Sequence, residues 1–160
     1  MSTLLSIKSK IVDFSETRNL VSKWKSEGKS VVFTNGCFDV LHYGHVSYLA
    51  EASDLGDKMI IGLNSDASVR RLKGETRPIN GQMERATLLA ALSFVDAVVV
   101  FDEDTPENLI KEVRPDYLVK GGDYTFDTIV GAKFVSSYGG NVITIPLVEN
   151  FSSSSIIKRL

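Results

Sequence analysis

The stretch TNGCFDVLHYGH, Thr34 to His45, decides how this chain is read. The apolar run Val31-Val32-Phe33 leads into it, and Val46-Ser47-Tyr48-Leu49-Ala50-Glu51-Ala52 leaves it with a helical pattern. The order is strand, glycine-bearing turn, helix start. His42 and His45, the only histidines in the chain, stand three positions apart where the helix begins. Residues at that spacing share one helix face. The free backbone N–H groups of a helix N-terminus attract anions, phosphate above all. Two imidazole N–H donors added there make a site suited to phosphate chemistry. Gly36 allows the turn to bring its backbone close to a ligand.

Working outward, 160 residues amount to about one domain. An apolar share of 43% suffices for a real core, and a net charge of -2 speaks against a general nucleic-acid binder. No apolar run approaches the roughly 20 residues needed to span a bilayer. The first 19 residues lack the apolar centre of a secretory signal. The single cysteine, Cys37, excludes an internal disulfide and fits a reducing, cytoplasmic setting. Cys37 reads as a small packing residue beside the site, since no third histidine exists to activate it.

Five apolar runs alternate with helical patterns. Strands are expected at 31–35, 58–64, 97–101, 116–120 and 141–145. Helices are expected at about 44–55, 82–93, 105–113 and 128–138, with Thr105 as N-cap and Pro106 first in its helix. The first 27 residues read as an extension with one helix, N-capped by Ser15 and ended by Gly28, ahead of the main domain at 28–160. Strand, helix and strand from Val31 to Asn64 make a βαβ unit with a right-handed crossover. Ligands in such sheets bind at the C-terminal ends of the strands. Those ends carry Asn64-Ser65-Asp66 and Lys120-Gly121-Gly122-Asp123-Tyr124. Ser65 or Asp66 also reads as a cap for the next helix. Lys120 and Asp123 rim a nucleotide or sugar pocket. Residues 70–85 hold Arg70, Arg71, Lys73, Arg77 and Arg85 against Glu75 and Glu84, a net +3 in an acidic chain. That concentration suits a polyanion such as a triphosphate. Four serines, Ser152 to Ser155, then open a terminal helix.

Gly36, Phe38, Asp39, His42, Gly44 and His45 together form Gly-x-Phe-Asp-x-x-His-x-Gly-His. This resembles the signature of the cytidylyltransferase-like nucleotidyltransferases. The stretches RLKGETRPIN and LVKGGDY narrow the resemblance to the heptose-phosphate adenylyltransferases of lipopolysaccharide precursor synthesis. The likeness covers about residues 28 to 160. It implies one Rossmann-like α/β domain with a five-stranded parallel sheet in the order 3-2-1-4-5 and helices on both faces. It implies transfer of an adenylyl group from ATP to D-glycero-β-D-manno-heptose 1-phosphate, giving ADP-heptose and pyrophosphate. Mg²⁺ would be carried by the triphosphate, with no resident metal.

The resemblance also implies roles. His42, His45 and Lys73 would be catalytic, Lys73 by holding triphosphate oxygens. Asn35, Gly36, Cys37, Phe38, Gly44, Asn64, Arg85, Lys120, Gly122 and Asp123 would line the nucleotide. Ser152, Ser153 and Ser154 match a Ser/Thr run that adds donors to the phosphates. Asp39, Asp66, Arg77 and Tyr124 would face the acceptor. A homo-oligomer is expected, with no membrane or nucleic-acid partner. Rival readings are a cytidylyltransferase for glycerol phosphate, an adenylyltransferase for flavin or pantetheine phosphates, and a nucleotide sensor without turnover. A dinucleotide oxidoreductase fits poorly, because the first turn lacks Gly-x-Gly-x-x-Gly.

Overall fold

A computed structural model describes residues 1–122 and 124–160. Its centre is a five-stranded sheet: β1 (Val31–Gly36), β2 (Lys58–Asn64), β3 (Ala97–Phe101), β4 (Tyr117–Gly121) and β5 (Asn141–Ile145). The order is β3-β2-β1-β4-β5 and every pairing is parallel, as the sequence predicts. β1 is central, so its C-terminal turn opens at the middle of the sheet edge. Val31, Val32 and Phe33 are fully buried, which is why this strand is a continuous apolar run.

Alternation along the strands divides the core in two. Val31, Phe33, Ile60 and Leu118 face α2 (Phe14–Ser26), α6 (Glu107–Val113) and α7 (Ala132–Ser137). Val32, Ile61, Leu63 and Val119 face α3 (Tyr43–Ser53) and α5 (Gln82–Ala90). Helix α4 (Asp66–Lys73) follows β2, N-capped by Ser65, whose hydroxyl accepts the Ser68 N–H. Helix α8 (Ser153–Ile157) closes the described chain.

Several local expectations change. The leading segment holds two helices where one was expected. Before α2 lies α1 (Thr3–Lys8), capped by Ser2, whose hydroxyl accepts the Leu5 N–H at 3.3 Å. Helix α2 is N-capped by Asp13, not Ser15, and Val21 and Trp24 are buried in the same core as β1. The N-cap of α6 is Pro106 in place of Thr105, because the Pro106 carbonyl accepts the first helical N–H, that of Ile110, at 2.8 Å. The helix expected over 128–138 is broken. A 3-10 turn, Phe126–Thr128, is followed by Ile129 in extended conformation and buried in the core, and α7 begins only after Gly131. Gly131 has φ +85°, and a Cβ there would lie 2.8 Å from Ile110, so the chain turns where a regular helix would clash.

Candidate active site

His42 leaves the turn in extended conformation and is the N-cap of α3. Its Nδ1 accepts the His45 backbone N–H at 3.3 Å, and the Nδ1 of His45 accepts the His42 backbone N–H at 3.3 Å. This is a capping box made of two imidazoles. A ring nitrogen that accepts carries no proton. The hydrogen-bond network therefore assigns the proton of each neutral ring to Nε2. The rings stack with centroids 3.7 Å apart and planes 20° apart. Burial pushes His45 down to about 4, helped by His42 and Lys73 and opposed by the Val40 carbonyl. Burial lowers His42 as well. Both rings are thus neutral at physiological pH, each with an Nε2–H to donate at the positive end of a helix.

The neighbours hold this pair in place. Phe38, at φ 44°, sets its ring edge-on to His45 at 5.1 Å. Gly44 between the histidines is required by space. A Cβ there would lie 2.9 Å from the Cβ of Phe151 and 3.0 Å from the His42 ring. Tyr48, one turn on, hydrogen-bonds Thr34 of β1 at 2.5 Å and donates to the Val119 carbonyl of β4 at 3.2 Å. It thereby locks α3 over the junction of the two strands. Burial pushes its hydroxyl up to about 12.

These groups open into a cleft of about 310 Å³ at the C-terminal edge of the sheet. Asn35, Gly36, Cys37 and Phe38 form its floor, and His42, Gly44 and His45 one wall. Lys73, exposed at the end of α4, reaches in from one side, while Lys120 and Tyr124 line the other. The Lys120 Nζ stands 5.9 Å from the Tyr124 ring centroid, and burial brings its ammonium down to about 8. Burial pushes the Cys37 thiol up, so it stays protonated beside the site, as a packing residue would.

Asp39 lines the cleft too, but its carboxylate is 2% exposed and fully engaged. It accepts from Arg77 Nε at 2.6 Å and from the backbone N–H groups of Ile79 and Asn80 at 2.7 and 3.0 Å. Burial alone would raise its pKa, yet the Asn80, Arg77 and Ile79 bonds together hold it below the usual carboxylate range. Asp39 and Arg77, read from the sequence as acceptor residues, pin the loop after α4 to the first turn.

Arg85 stands behind the cleft, 1% exposed. Its guanidinium donates to the carbonyls of Asn80, Cys37 and Asn64 at 2.9, 2.7 and 2.8 Å and to the Asp66 carboxylate at 2.9 Å. One side chain thus ties the β1 turn, the end of β2, the start of α4 and the loop before α5. Asn64 is buried and donates to Ser68, and neither it nor Asp66, Arg77 or Arg85 lines the cleft. These four stand behind the residues that line the cleft and tie its walls together. Gly122, at φ +101°, makes the turn beyond the rim. Asp123 lies outside the described residues.

The segment after β5 crosses the mouth of the cleft. Ser152, Ser153 and Ser154 all line it. The Ser152 hydroxyl caps α8 by accepting the Ser155 N–H at 3.0 Å, and Ser153 donates to the Val40 carbonyl at 3.2 Å. Among the described residues the Ser154 hydroxyl has no protein partner, and the Ser152 hydroxyl, which only accepts, keeps its own proton to donate. Phe151 stacks over His42 at 6.2 Å and meets the Tyr43 ring edge-on at 5.3 Å. Sequence reasoning missed Tyr48, Leu147 and Phe151. Tyr48 had a signal, three residues past His45 on the same helix stripe. Leu147 and Phe151 had none beyond proximity to the serines.

The family model described as cytidylyltransferase-like matches residues 33–159. Among curated proteins, the bifunctional protein HldE of Geobacter sulfurreducens is 55% identical over 94% of this chain and 31% of its own length. That of Syntrophotalea carbinolica is 59% identical over 89% of this chain and 29% of its own. The chain therefore spans about three tenths of the length of these relatives. Among solved structures, a lipopolysaccharide core biosynthesis protein from Thermoplasma volcanium is superposed with TM-score 0.61 at 28% identity, over 78% of this chain and all of that one. Pantoate-beta-alanine ligase from Francisella tularensis, at 16% identity and TM-score 0.62 over 92% of this chain and 75% of its own, shares the fold. With the histidine capping box inside the matched region, the chain belongs to the cytidylyltransferase-like family.

Proposed function

We propose that the cleft moves the adenylyl group of ATP onto a sugar 1-phosphate, D-glycero-β-D-manno-heptose 1-phosphate, to give ADP-heptose and pyrophosphate for lipopolysaccharide core synthesis. The observation that carries the chemistry is the reciprocal capping of His42 and His45, which leaves two neutral Nε2–H donors at a helix N-terminus. The choice of acceptor is supported by the HldE likeness and by the solved lipopolysaccharide core biosynthesis protein.

An oxygen of the acceptor phosphate attacks the α-phosphorus. The new P–O bond forms as the bond from the α-phosphorus to the α,β-bridging oxygen breaks, and pyrophosphate leaves with the electron pair. The attacking phosphate is already ionised, its second pKa being about 6. No general base is needed, in agreement with imidazoles that resist protonation and only donate. The His42 and His45 Nε2–H groups hydrogen-bond the α-phosphoryl oxygens as charge develops on them. Lys73 neutralises charge on the leaving pyrophosphate, and Ser154 adds a donor. In-line positioning and charge stabilisation account for the rate.

Among the described residues no three of His, Cys, Asp and Glu gather to hold a metal, and the Asp39 carboxylate is spent on Arg77 and backbone donors. On this reading ATP is taken up as its Mg²⁺ complex, the cation neutralising triphosphate charge. The test is pyrophosphate release with ATP or CTP over heptose 1-phosphate, glycerol 3-phosphate and flavin mononucleotide. Turnover with ATP and heptose 1-phosphate is expected. Turnover confined to CTP with glycerol 3-phosphate, or ATP binding without turnover on any acceptor, would overturn the reading.

A further inference from the structure

The cleft has two halves, divided by the C-terminal edge of the sheet. Phe33 and Leu118 are register partners of β1 and β4 in the core under α2, α6 and α7. Two residues further along each strand, on that same face, come Asn35 and Lys120. A Cβ built on Gly62 would lie 3.3 Å from the Asn35 Cβ and 3.1 Å from Leu109 of α6, which confirms that Asn35 points to the α6 side. The histidine helix packs on the opposite face through Tyr48 and Leu49. Lys73 ends the helix that follows β2, Lys120 belongs to β4, and β1 with its turn lies between β2 and β4. The histidine pair therefore has one lysine on each side.

In-line displacement places the attacking and leaving groups on opposite sides of the phosphorus. If pyrophosphate leaves toward Lys73, the acceptor arrives from the side of Lys120 and Asn35. The Asn35 Oδ1 is buried and meets no donor among the described residues. An unpaired buried carbonyl is costly and calls for an explanation. A phosphate cannot supply the missing donor, since it offers acceptors. A hydroxyl can, and rotation about χ2 turns either end of the carboxamide toward one.

We propose that Asn35 and Lys120, which the family resemblance puts on the nucleotide, instead form the acceptor subsite. Lys120 holds the acceptor's phosphate opposite the leaving pyrophosphate, and Asn35 hydrogen-bonds a hydroxyl of the sugar, so that Asn35 selects a polyhydroxylated acceptor over a simple one. This rests on the adenylyl-transfer reading above and deepens it.

The test is steady-state kinetics with ATP and the sugar 1-phosphate varied in turn, together with calorimetric binding of a non-hydrolysable ATP analogue. Asn35→Ala is expected to raise the acceptor KM about tenfold, and Lys120→Met about a hundredfold, with ATP KM and analogue affinity changed less than about twofold. Asn35→Asp keeps the shape and places a carboxylate beside Lys120. It decides the matter should the alanine variant fail to fold, and the same rise in acceptor KM is expected. A fall in analogue affinity with the acceptor KM unchanged would put the pair on the nucleotide and overturn the assignment, as would no effect on either. Failure of the underlying reading shows separately, in the unmutated protein, as analogue binding without turnover of any sugar 1-phosphate.

Discussion

His42 and His45 cap each other: each Nδ1 accepts the other residue's backbone N–H at 3.3 Å. One geometric fact thus fixes the helix start, the tautomers and the protonation state of the site. Protonating either ring at Nδ1 would break one of the two caps.

This has a consequence for stability against pH. In the unfolded chain the rings titrate near the ordinary 6.5, whereas the fold holds His45 down to about 4. Between those values the unfolded state binds more protons, so stability is full above about 6.5 and falls as pH drops toward 4. Urea denaturation from pH 7.5 to 4.5 measures it, and His45→Asn should flatten part of the slope. A stability that rises on acidification through this window would mean the rings are charged in the fold.

Arg85 is expected to matter for stability before it matters for binding. Arg85→Met leaves the Asp66 carboxylate and three carbonyls without their donor. A loss of about 2–4 kcal/mol in urea unfolding is expected, mostly from buried carbonyls left without a donor, since the Asp66 carboxylate is one-third exposed and can be rehydrated. Arg85→Lys keeps the charge without the fork and should recover only part of it. A loss under about 1 kcal/mol would show that the four bonds do not act as a clamp.

Asp39→Asn tests whether the loop after α4 is held from the first turn. The amide oxygen can still accept the Ile79 and Asn80 N–H groups, but the Nδ2 that replaces Oδ2 faces the Arg77 Nε–H, so Arg77, whose Nη2 has no partner among the described residues, loses its carboxylate and the loop its ionic anchor. The expected result is faster amide exchange over residues 74–81 and a kcat about tenfold lower, because Lys73 loses its position. Unchanged exchange there would separate the loop from Asp39.

The frame of the fold was legible in the sequence because β1 to β5 are short, buried apolar runs separated by turn residues. The histidine pair was legible because its partners are three residues apart. The clamp was not: Asp39 and Arg77 are 38 residues apart, and Arg85 reaches Cys37 across 48. A cluster of arginines reads as a phosphate site whether the guanidinium ends in the cleft or behind it. Only the fold shows that Lys73 ends in the cleft and Arg85 behind it. Helix α1 escaped notice because Leu4 and Leu5 are exposed, so no apolar stripe marks it. The 128–138 helix failed because Ile129 is drawn into the core and Gly131 meets Ile110.

Gly44→Ala probes the contact between the histidine turn and the C-terminal segment. The added methyl would meet Phe151 and the His42 ring. Turnover is expected to fall at least tenfold while the loss of stability stays within about 1–3 kcal/mol, the usual range for overpacking. Full activity would mean that Phe151 and His42 can yield without harm to the site.

The most direct measurement is pyrophosphate release by His45→Ala, with its fold checked by circular dichroism and its melting temperature. Removing one donor of this kind lowers kcat by about 10²–10³, and a loss of that size at saturating ATP and sugar 1-phosphate is the expected result. Turnover within a few-fold of the unmutated protein would contradict the role given to the paired imidazoles.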